Sequence, residues 1–253
     1  MFDHVTIRVA DRDASRRFYD TVLGPLGHER RSIGEVFDEW GDYSIAQSGT
    51  AQSGTAQTGG TPATGGLHVA FTTSSREQVK AFWQAGVDAG YKSDGDPGLR
   101  PIYHDDYYGA FLLDPDENSV EAVFHGRPRE PGSSIDHLWL RVSDLDGAKA
   151  FWDAVAPQLG LGVRRSVRAP RVHVEKGDRS FALLAGDRPT ANLHIAFPAP
   201  DDEAVRAFHQ RAVEAGYRDN GAPGERPIYH AGYYGAFVLD PDGNNIEAVN
   251  HNR

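Results

Sequence analysis

The sequence predicts an α+β fold of four βαβββ modules, and two long internal repeats together with one local pattern support this prediction. The segment YHDDYYGAFLLDPDENSVEAVFH, which begins at Tyr103, returns from Tyr229 as YHAGYYGAFVLDPDGNNIEAVNH. Likewise, DHVTIRVADRDASRRFYDTVLGPLG from Asp3 aligns with DHLWLRVSDLDGAKAFWDAVAPQLG from Asp136. Within each half, a strand followed by a helix and weaker strands occurs twice. Repeats of this length indicate a duplicated chain.

The duplication divides the 253 residues into a first domain at 1–126, a linker at 127–133 and a second domain at 134–253. The linker is rich in proline, glycine and charge, as connections between domains often are. One segment, 46–66, has no counterpart of equal length in the second half and consists mainly of Gly, Ser, Thr and Ala. We predict that it is a mobile surface loop, with a lid over a binding site as the alternative.

Each module is predicted to begin with a strand of alternating apolar residues and to continue with an amphipathic helix. In the first module these are HVTIRV and DRDASRRFYDTVLGPLG, followed by weak strands in HERRSIGEVF, DEWGD and YSIAQ. In the second they are LHVAF and SREQVKAFWQAGVDAGY, followed by strands near RPIYH, YYGAFLL and SVEAVF. Acidic residues at the start of the first helix and glycine near its end fit helix boundaries. The sequence DPDEN or DPDGN joins the last two strands as a turn.

Composition and charge restrict the possible partners. The net charge of −10 disfavours nucleic-acid binding, because such binding relies on basic residues that displace phosphate counterions. No apolar run approaches the ~18 residues that cross a bilayer, and the N-terminus lacks a signal-like pattern. With no cysteine, the chain has neither disulfides nor thiolate ligands. We therefore expect a cytoplasmic monomer or homodimer that binds a small molecule, without nucleic-acid or membrane partners.

Strand alternation places six side chains with metal-binding groups on the face opposite to the apolar residues. In HVTIRV, for example, Val5, Ile7 and Val9 face the core, so His4 lies on the other face. Two imidazoles and one carboxylate in each half are a ligand set typical of a divalent metal with open coordination positions. The alternative is that these are ordinary hydrogen-bonded strand residues, which the duplication of the whole pattern makes less favourable. The candidate ligands are His4, His68, Glu121, His137, His194 and Glu247.

On these modules and on the DPDGNNIEAV hairpin, the chain resembles the vicinal-oxygen-chelate superfamily. That superfamily includes glyoxalase I, extradiol ring-cleavage dioxygenases, fosfomycin-resistance proteins and bleomycin-resistance proteins. The resemblance covers essentially all of both halves and implies two domains of this kind, each with a curved, cup-shaped mixed sheet.

The resemblance also implies how the ligands are grouped. Carried over half by half, it puts His4, His68 and Glu121 in one set and the second-half residues His137, His194 and Glu247 in the other. Some members of the superfamily exchange modules, however, and an exchange here pairs His4 with His194 and Glu247. In that arrangement His137 joins His68 and Glu121. The sequence leaves both groupings open.

Further residues acquire roles through the same resemblance. The extradiol signature matches His230, Asp240, Pro241, Gly243 and Glu247, but Phe237 stands where that signature has tyrosine, as Phe111 does in the first half. The resemblance implies that His104 and His230 are outer acid–base histidines, with a hydrogen-bonded loop histidine as the alternative. The residues themselves suggest two further roles. Tyr108 and Tyr234, which share a strand face with Ala110 and Ala236, are candidate donors to a bound oxyanion, with core packing as an equal alternative. Tyr107, Trp139 and Tyr233 suit stacking on a flat ligand, with core or rim packing as the alternative. His125 and His251, which end the last strand of each half, are interpreted as surface residues.

Two classes of function remain, and in either class a further possibility is that one half is catalytic and the other structural. The first is a metal-dependent enzyme that acts on a small oxygenated metabolite, either as a lyase or isomerase or, with Fe(II), as a dioxygenase. The metal would be Fe, Mn, Ni, Zn or Co. The second is a protein that sequesters a drug or metabolite, as bleomycin-resistance members do. Those members lack metal ligands, so intact ligand sets favour the enzyme. The second carboxylate ligand of glyoxalase I has no evident counterpart, since YSIAQSG and SFALLAG contain no glutamate.

Overall fold

A computed structural model describes residues 1–33, 36–49, 61–128, 132–167, 169–177 and 179–253. Within these residues the chain forms four α-helices and sixteen strands in two eight-stranded mixed sheets, which confirms the α+β prediction. No helix in the described part of the chain is long and apolar enough to cross a membrane.

The four modules share one element order, strand–helix–three strands. The first module contains β1 (His4–Val9), α1 (Arg12–Leu23), β2 (Arg31–Ile33), β3 (Phe37–Trp40) and β4 (Tyr43–Gln47). The second contains β5 (Leu67–Thr72), α2 (Arg76–Asp88), β6 (Ser93–Leu99), β7 (Tyr108–Leu113) and β8 (Ser119–Phe124). The third contains β9 (Ile135–Val142), α3 (Leu145–Val155), β10 (Gly162–Arg165), β11 (Arg171–Lys176) and β12 (Arg179–Ala185). The fourth contains β13 (His194–Pro198), α4 (Asp202–Glu214), β14 (Arg218–Glu225), β15 (Tyr234–Leu239) and β16 (Asn245–Asn250).

Each sheet combines one module from each half of the chain. The first sheet has the order β14-β15-β16-β13-β1-β4-β3-β2 and therefore joins the fourth module to the first. The second has the order β10-β11-β12-β9-β5-β8-β7-β6 and joins the third module to the second. The modules meet through antiparallel pairs, β1 with β13 and β9 with β5. In these pairs Thr6 lies opposite His194, and Trp139 lies opposite His68.

The helices begin where side-chain caps are available. The Asp11 carboxylate accepts a hydrogen bond from the backbone N–H of Ala14 at 2.9 Å, and Ser75 Oγ accepts one from Gln78 at 3.2 Å. Such caps satisfy backbone donors that the first helical turn leaves unpaired. The predicted helices are thus present, each with its acidic or hydroxyl cap residue just outside the first turn.

The prediction of a strand near RPIYH is wrong. The strand in that part of the module is β6, seven residues upstream, and Pro101 to Asp106 form turns before β7. The sequence of β6, SDGDPGL, carries two glycines and a proline, which ordinarily argue against a strand. Because β6 and its repeat β14 lie at sheet edges and pair through irregular registers, they tolerate residues that a central strand excludes.

A common apolar core lies between the two sheets and includes the buried faces of the helices. Trp152 of α3 packs edge-on against Phe181 of the second sheet at 4.8 Å and against Phe197 of the first at 5.6 Å. Tyr43 and Phe71 make the corresponding contact at the other end, with ring centroids 5.2 Å apart. Because the two sheets share this core, the side chains that face away from it form the two concave faces.

The ends of segment 46–66 belong to the folded structure, contrary to the surface-loop prediction. Ala46 is a fully buried residue of β4, and Thr64 is also fully buried. Thr64 Oγ1 accepts from the Arg8 backbone N–H and donates to the Asn192 carbonyl, both at 2.9 Å. Hydrogen bonds to the sheet strand therefore anchor this end despite its low-complexity composition. Residues 50–60 of the segment, and 129–131 of the linker, lie outside the described residues.

Candidate metal centres

The first candidate centre consists of His4 on β1, His194 on β13 and Glu247 on β16. Its ligand atoms all lie within 4.8 Å of one another. The two imidazole Nε2 atoms are 3.0 Å apart, and Glu247 Oε2 lies 3.1 Å from that of His194 and 3.7 Å from that of His4. The Glu247 side chain is 1% exposed and that of His194 8%, whereas that of His4 is 31% exposed at the rim.

The second candidate centre repeats this arrangement with His68 on β5, Glu121 on β8 and His137 on β9. Glu121 Oε2 lies 3.1 Å from His68 Nε2 and 3.6 Å from His137 Nε2. The structure therefore brings together all six candidate ligands, in two groups of three.

The grouping carried over half by half is wrong, and the exchanged grouping is the one present. Each centre takes one histidine from one half and a histidine and glutamate from the other. The physical reason is the choice of strand neighbour: β1 pairs with β13 rather than with β5, so His4 faces the fourth module. Strand alternation correctly predicted the face of each side chain but carried no information about which strand lies next to it.

An aspartate directly before one histidine of each centre orients the imidazole. His4 Nδ1 lies 2.9 Å from Asp3 Oδ1, and His137 Nδ1 lies 2.8 Å from Asp136 Oδ1. An ionised carboxylate accepts a hydrogen bond from Nδ1–H, which fixes the proton on Nδ1 and leaves the Nε2 lone pair for a metal. This is a common arrangement at metal-binding histidines. The repeated DH dipeptide was visible in the sequence, but its aspartate was not recognised as an orienting residue.

The other histidine of the first centre has an amide neighbour. The side-chain amide nitrogen of Asn245 lies 2.8 Å from His194 Nδ1, which in a neutral imidazole puts the proton on Nε2. A metal on Nε2 requires the amide to be turned by 180°, with its oxygen accepting from Nδ1–H. The Asn220 Oδ1 atom is buried and has no hydrogen-bond partner within the described residues, while its Nδ2 lies 2.9 Å from Asn245 Oδ1. If both amides turn, this unpaired oxygen gains a donor, so the surroundings of His194 accommodate the metal-binding tautomer.

A buried tyrosine hydroxyl holds the carboxylate of each centre. Tyr233 donates to Glu247 Oε1 at 2.6 Å, and Tyr107 donates to Glu121 Oε1 at 2.7 Å. Burial and the adjacent carboxylate raise the pKa of Tyr233 far above its ordinary value, which keeps the hydroxyl protonated as a donor. Both hydroxyls are engaged by the glutamates, and the expectation that the rings of Tyr107 and Tyr233 contact a ligand stays a prediction.

Gly235 leaves the space that the carboxylate occupies. A Cβ at this position would lie 2.8 Å from Glu247 Oε1, closer than such atoms normally approach. The equivalent Gly109 stands against Glu121 in the same way. The glycine of the repeated YYGAF sequence therefore permits the carboxylate to lie close to the neighbouring strand.

The residues present fit a divalent cation. Burial lowers the pKa values of His194 and His68, which favours the neutral imidazoles that bind metals. For His4, burial alone would lower the pKa, but the hydrogen bond to Asp3 and the charge of Glu247 outweigh it and raise the pKa above 6.5. A proton and a metal therefore compete for His4. Two nitrogens and one carboxylate oxygen that converge within a few ångströms form a facial ligand set with open positions.

Pairs of histidines extend outward from the orienting aspartates. His251 Nε2 lies 2.8 Å from Asp3 Oδ2, and His251 Nδ1 lies 2.8 Å from His230 Nε2. In the second centre, His125 connects Asp136 to His104 at 3.0 and 2.8 Å. The interpretation of His125 and His251 as surface residues is wrong, because each is half-buried between a carboxylate and a second imidazole.

Three contacts hold the His230–His251 pair. His230 Nδ1 lies 2.8 Å from the Ala231 carbonyl oxygen, His230 Nε2 lies 2.8 Å from His251 Nδ1, and His251 Nε2 lies 2.8 Å from Asp3 Oδ2. His104 and His230 are thus linked to the ligand histidines through two intervening residues, a histidine and an aspartate.

Of the two alternatives for Tyr108 and Tyr234, donor to an oxyanion or core residue, the structure has core packing. Both tyrosines do share a strand face with alanines, as alternation predicted, but that face packs under the helices. The guanidinium of Arg76 on α2 lies 5.2 Å from the Tyr108 ring. On α4, Arg206 lies 5.6 Å from the Tyr234 ring and donates to its hydroxyl at 3.2 Å.

A cavity of about 1070 Å³ adjoins the first centre. Its walls include apolar and aromatic side chains, among them Val36, Phe37, Ile228 and Tyr229, with His4 and His194 at the centre itself. Glu39 of β3 also lines this cavity, and burial raises the pKa of its carboxyl above 4.5. Sequence reasoning missed Glu39 because it searched β4, whereas Glu39 lies opposite Ser44 on the neighbouring strand.

Both halves of the chain match one known family. The family model described as Glyoxalase/Bleomycin resistance protein/Dioxygenase superfamily matches residues 1–122 and 134–248. The chain belongs to this superfamily. The match to both halves confirms the resemblance that the repeats indicated. Comparison with curated proteins found no significant sequence match.

Solved structures share the superfamily's fold with this chain. Glyoxalase I from Zea mays aligns with a TM-score of 0.64 and 20% identity, covering 99% of this chain and 92% of that chain. A putative dioxygenase from Bacillus subtilis subsp. subtilis str. 168 aligns with a TM-score of 0.62 and 13% identity, covering 100% and 85%. Likeness at such low identity shows the common fold of the superfamily, and activity must be argued from the site.

Proposed function

We propose that the chain is a divalent-metal-dependent enzyme that acts on a small oxygenated metabolite at the first centre. The observation that carries this proposal is the convergence of His4, His194 and Glu247 on one point beside the 1070 Å³ cavity. A divalent metal at that point would supply Lewis-acid stabilisation of negative charge on substrate oxygen. Three protein ligands leave positions for two neighbouring substrate oxygens.

Glu39 is the residue best placed to move a proton in this cavity. Its carboxyl lines the cavity, and its pKa is raised by burial, although the nearby His4 lowers it in part. A carboxylate whose pKa is raised toward neutrality is a better proton acceptor than an ordinary one. We propose that Glu39 removes a proton from the carbon next to the chelated oxygens and returns it elsewhere.

This geometry favours a lyase or isomerase over a ring-cleaving dioxygenase. Phe237 lies beside His194, with ring centroids 6.2 Å apart, where the extradiol signature has tyrosine. Phenylalanine supplies no hydroxyl to orient an oxygenated substrate. Sequestration of a drug or metabolite is the alternative function, and the apolar walls of the cavity favour it. That function has no need of a buried carboxylate held by a tyrosine and faced by two imidazoles.

Metal analysis tests the proposal. We expect the protein to bind two equivalents of Co(II) or Mn(II), one for each centre, and Glu247→Ala to bind one. His209→Ala is the matched control, because His209 also pairs with a carboxylate, Asp219 at 2.9 Å, but lies on α4 and belongs to neither centre. Its metal content should not change. Wild-type protein that retains neither ion after supplementation would overturn the proposal.

Proton exchange tests the reaction class without knowledge of the natural substrate. In D₂O, NMR follows the metal-dependent loss of the carbon-bound protons of a simple α-hydroxyketone, which reports enolisation. We expect Glu39→Gln to slow this exchange by about 10²–10⁴-fold with its metal content unchanged. Equal exchange rates for the variant and wild type would exclude Glu39 as the proton acceptor.

A further inference from the structure

The two centres differ at one pair of equivalent positions beside the ligand histidines. Thr6 lies opposite His194 in the β1–β13 pair, and Trp139 lies opposite His68 in the β9–β5 pair. The repeats therefore place a small side chain beside the first centre and the largest side chain beside the second.

At the second centre, Trp139 covers the ligands. Its ring centroid lies 5.2 Å from that of His68 and 6.0 Å from that of His137. Tyr103 meets the indole edge-on at 5.7 Å, and the Arg171 guanidinium lies 5.4 Å from the indole ring. An aromatic ring fixed by two imidazoles, a tyrosine and a cation occupies the concave face where a chelating ligand would approach.

At the first centre, the equivalent place is open. Thr6 is 6% exposed, and its hydroxyl is hydrogen-bonded to Ser44 at 2.7 Å, which holds the small side chain against the sheet. The 1070 Å³ cavity reaches Thr6, Ser44 and both histidines of the centre. A six-membered ring with two oxygen ligands needs a small part of this volume.

The strands beside these positions have diverged as well. Glu39 lies opposite Ser44 in the first sheet, whereas His173 lies opposite Ala182 at the matching place in the second. Burial and the charges of Arg164 and Arg171 lower the pKa of His173. The second centre therefore has a histidine at the position that Glu39 occupies in the first, in addition to the Trp139 ring over its ligands.

We propose that the two centres have separate tasks, with residue 6 and residue 139 as the determinants. The first centre binds a metal and a bidentate oxygen ligand, while the second binds a metal under Trp139 and excludes such a ligand. This inference rests on the proposed function, because it requires both centres to hold a metal.

A titration of the Co(II)-loaded protein with benzohydroxamate tests the division of tasks. Benzohydroxamate is an aromatic, bidentate oxygen ligand whose binding to cobalt changes the visible absorption of the metal. We expect the wild type to bind two cobalt ions but only one equivalent of benzohydroxamate. Trp139→Thr should bind two equivalents. Thr6→Trp should lose the single equivalent, with at least a tenfold weaker affinity.

Matched variants and the cobalt count separate the possible outcomes. Trp139→Phe retains a ring over His68 and should still bind one equivalent, whereas a general loosening of the sheet would give two. Two cobalt ions in every variant show that both centres are folded. Two equivalents of benzohydroxamate on the wild type, or one on Trp139→Thr, would overturn the inference and leave the proposed function intact. Failure of the wild type to bind cobalt would instead overturn the proposed function.

Discussion

The Tyr233 hydroxyl offers the sharpest test of how the first centre is held. Its hydrogen bond to Glu247 Oε1 is 2.6 Å long, and the two side chains are 5% and 1% exposed. In Tyr233→Phe, water has little access to replace the lost donor. A hydrogen bond to a charged group is worth about 1.5–3 kcal/mol, and loss of a residue that orients a metal ligand typically weakens metal affinity by about 10–100-fold. The two ranges agree, since about 1.4 kcal/mol corresponds to a tenfold change.

Competition with a coloured chelator measures the effect. The two Co(II) dissociation constants of the wild type are compared with those of Tyr233→Phe, in which one should rise by about 10–100-fold and the other should not change. Tyr107→Phe is the matched variant at the second centre, because Tyr107 donates to Glu121 in the same way at 2.7 Å. This variant should weaken the cobalt affinity of the second centre alone. Two unchanged constants in Tyr233→Phe, with the protein folded, would refute the idea that this hydroxyl positions the carboxylate.

Three further predictions follow from other contacts. Gly235→Ala should weaken the affinity of the first centre for cobalt by about 10-fold or more, because the added methyl displaces the Glu247 carboxylate. The same chelator competition measures this affinity, and an unchanged value would contradict the close approach of Glu247 to residue 235. Gly86→Ala in α2 should lower the free energy of unfolding by about 1 kcal/mol, measured by urea titration. The added methyl overpacks against the fully buried Leu112, which costs about 1–3 kcal/mol, and this cost outweighs the helix-propensity gain of about 1 kcal/mol. A variant more stable than the wild type would contradict this prediction. Because the folded-state pKa of His4 lies above 6.5, its cation stabilises the metal-free protein below pH 6.5, and this contribution is lost as pH rises through the folded-state value. In metal-free protein, the melting temperature of the wild type minus that of His4→Gln should thus fall as pH rises. With Co(II) bound the same difference should rise with pH, because the metal requires a neutral imidazole. The same slope with and without cobalt would refute this prediction.

Much of the candidate site was predictable from local sequence patterns. The period-two alternation in HVTIRV places His4 opposite Val5, Ile7 and Val9, and the structure has this arrangement. Alternation also grouped Tyr108 with Ala110, but it left open whether this pair faces the core or a bound ligand. In YYGAFLL the residues of both faces are apolar or small, so the pattern alone does not identify the buried one.

Longer-range features were not predictable in the same way. Glu39 lies near the first centre because β3 pairs with β4 and β4 pairs with β1. His251 lies near it because its imidazole contacts Asp3, at the other end of the chain. Neither residue sits in a pattern that identifies its partner. The strand that precedes β7 was predicted several residues downstream of its actual position, β6, because SDGDPGL lacks strand-forming residues. Only its place at the edge of the sheet allows this sequence to form a strand.

The sequence by itself determined the duplicated α+β modules and the six candidate ligands, because repeats and strand periodicity are local properties of the chain. Only the tertiary structure decided that His4 joins His194 and Glu247, because the two candidate neighbours of β1, LHVAF in β5 and LHIAF at β13, are nearly identical in sequence. The strand that pairs with β1 is selected by the packing of all four modules around one core. The free-energy difference between the alternative pairings is therefore distributed over many contacts between residues distant in sequence. The same packing leaves Thr6 beside an open cavity and puts Trp139 over the other centre.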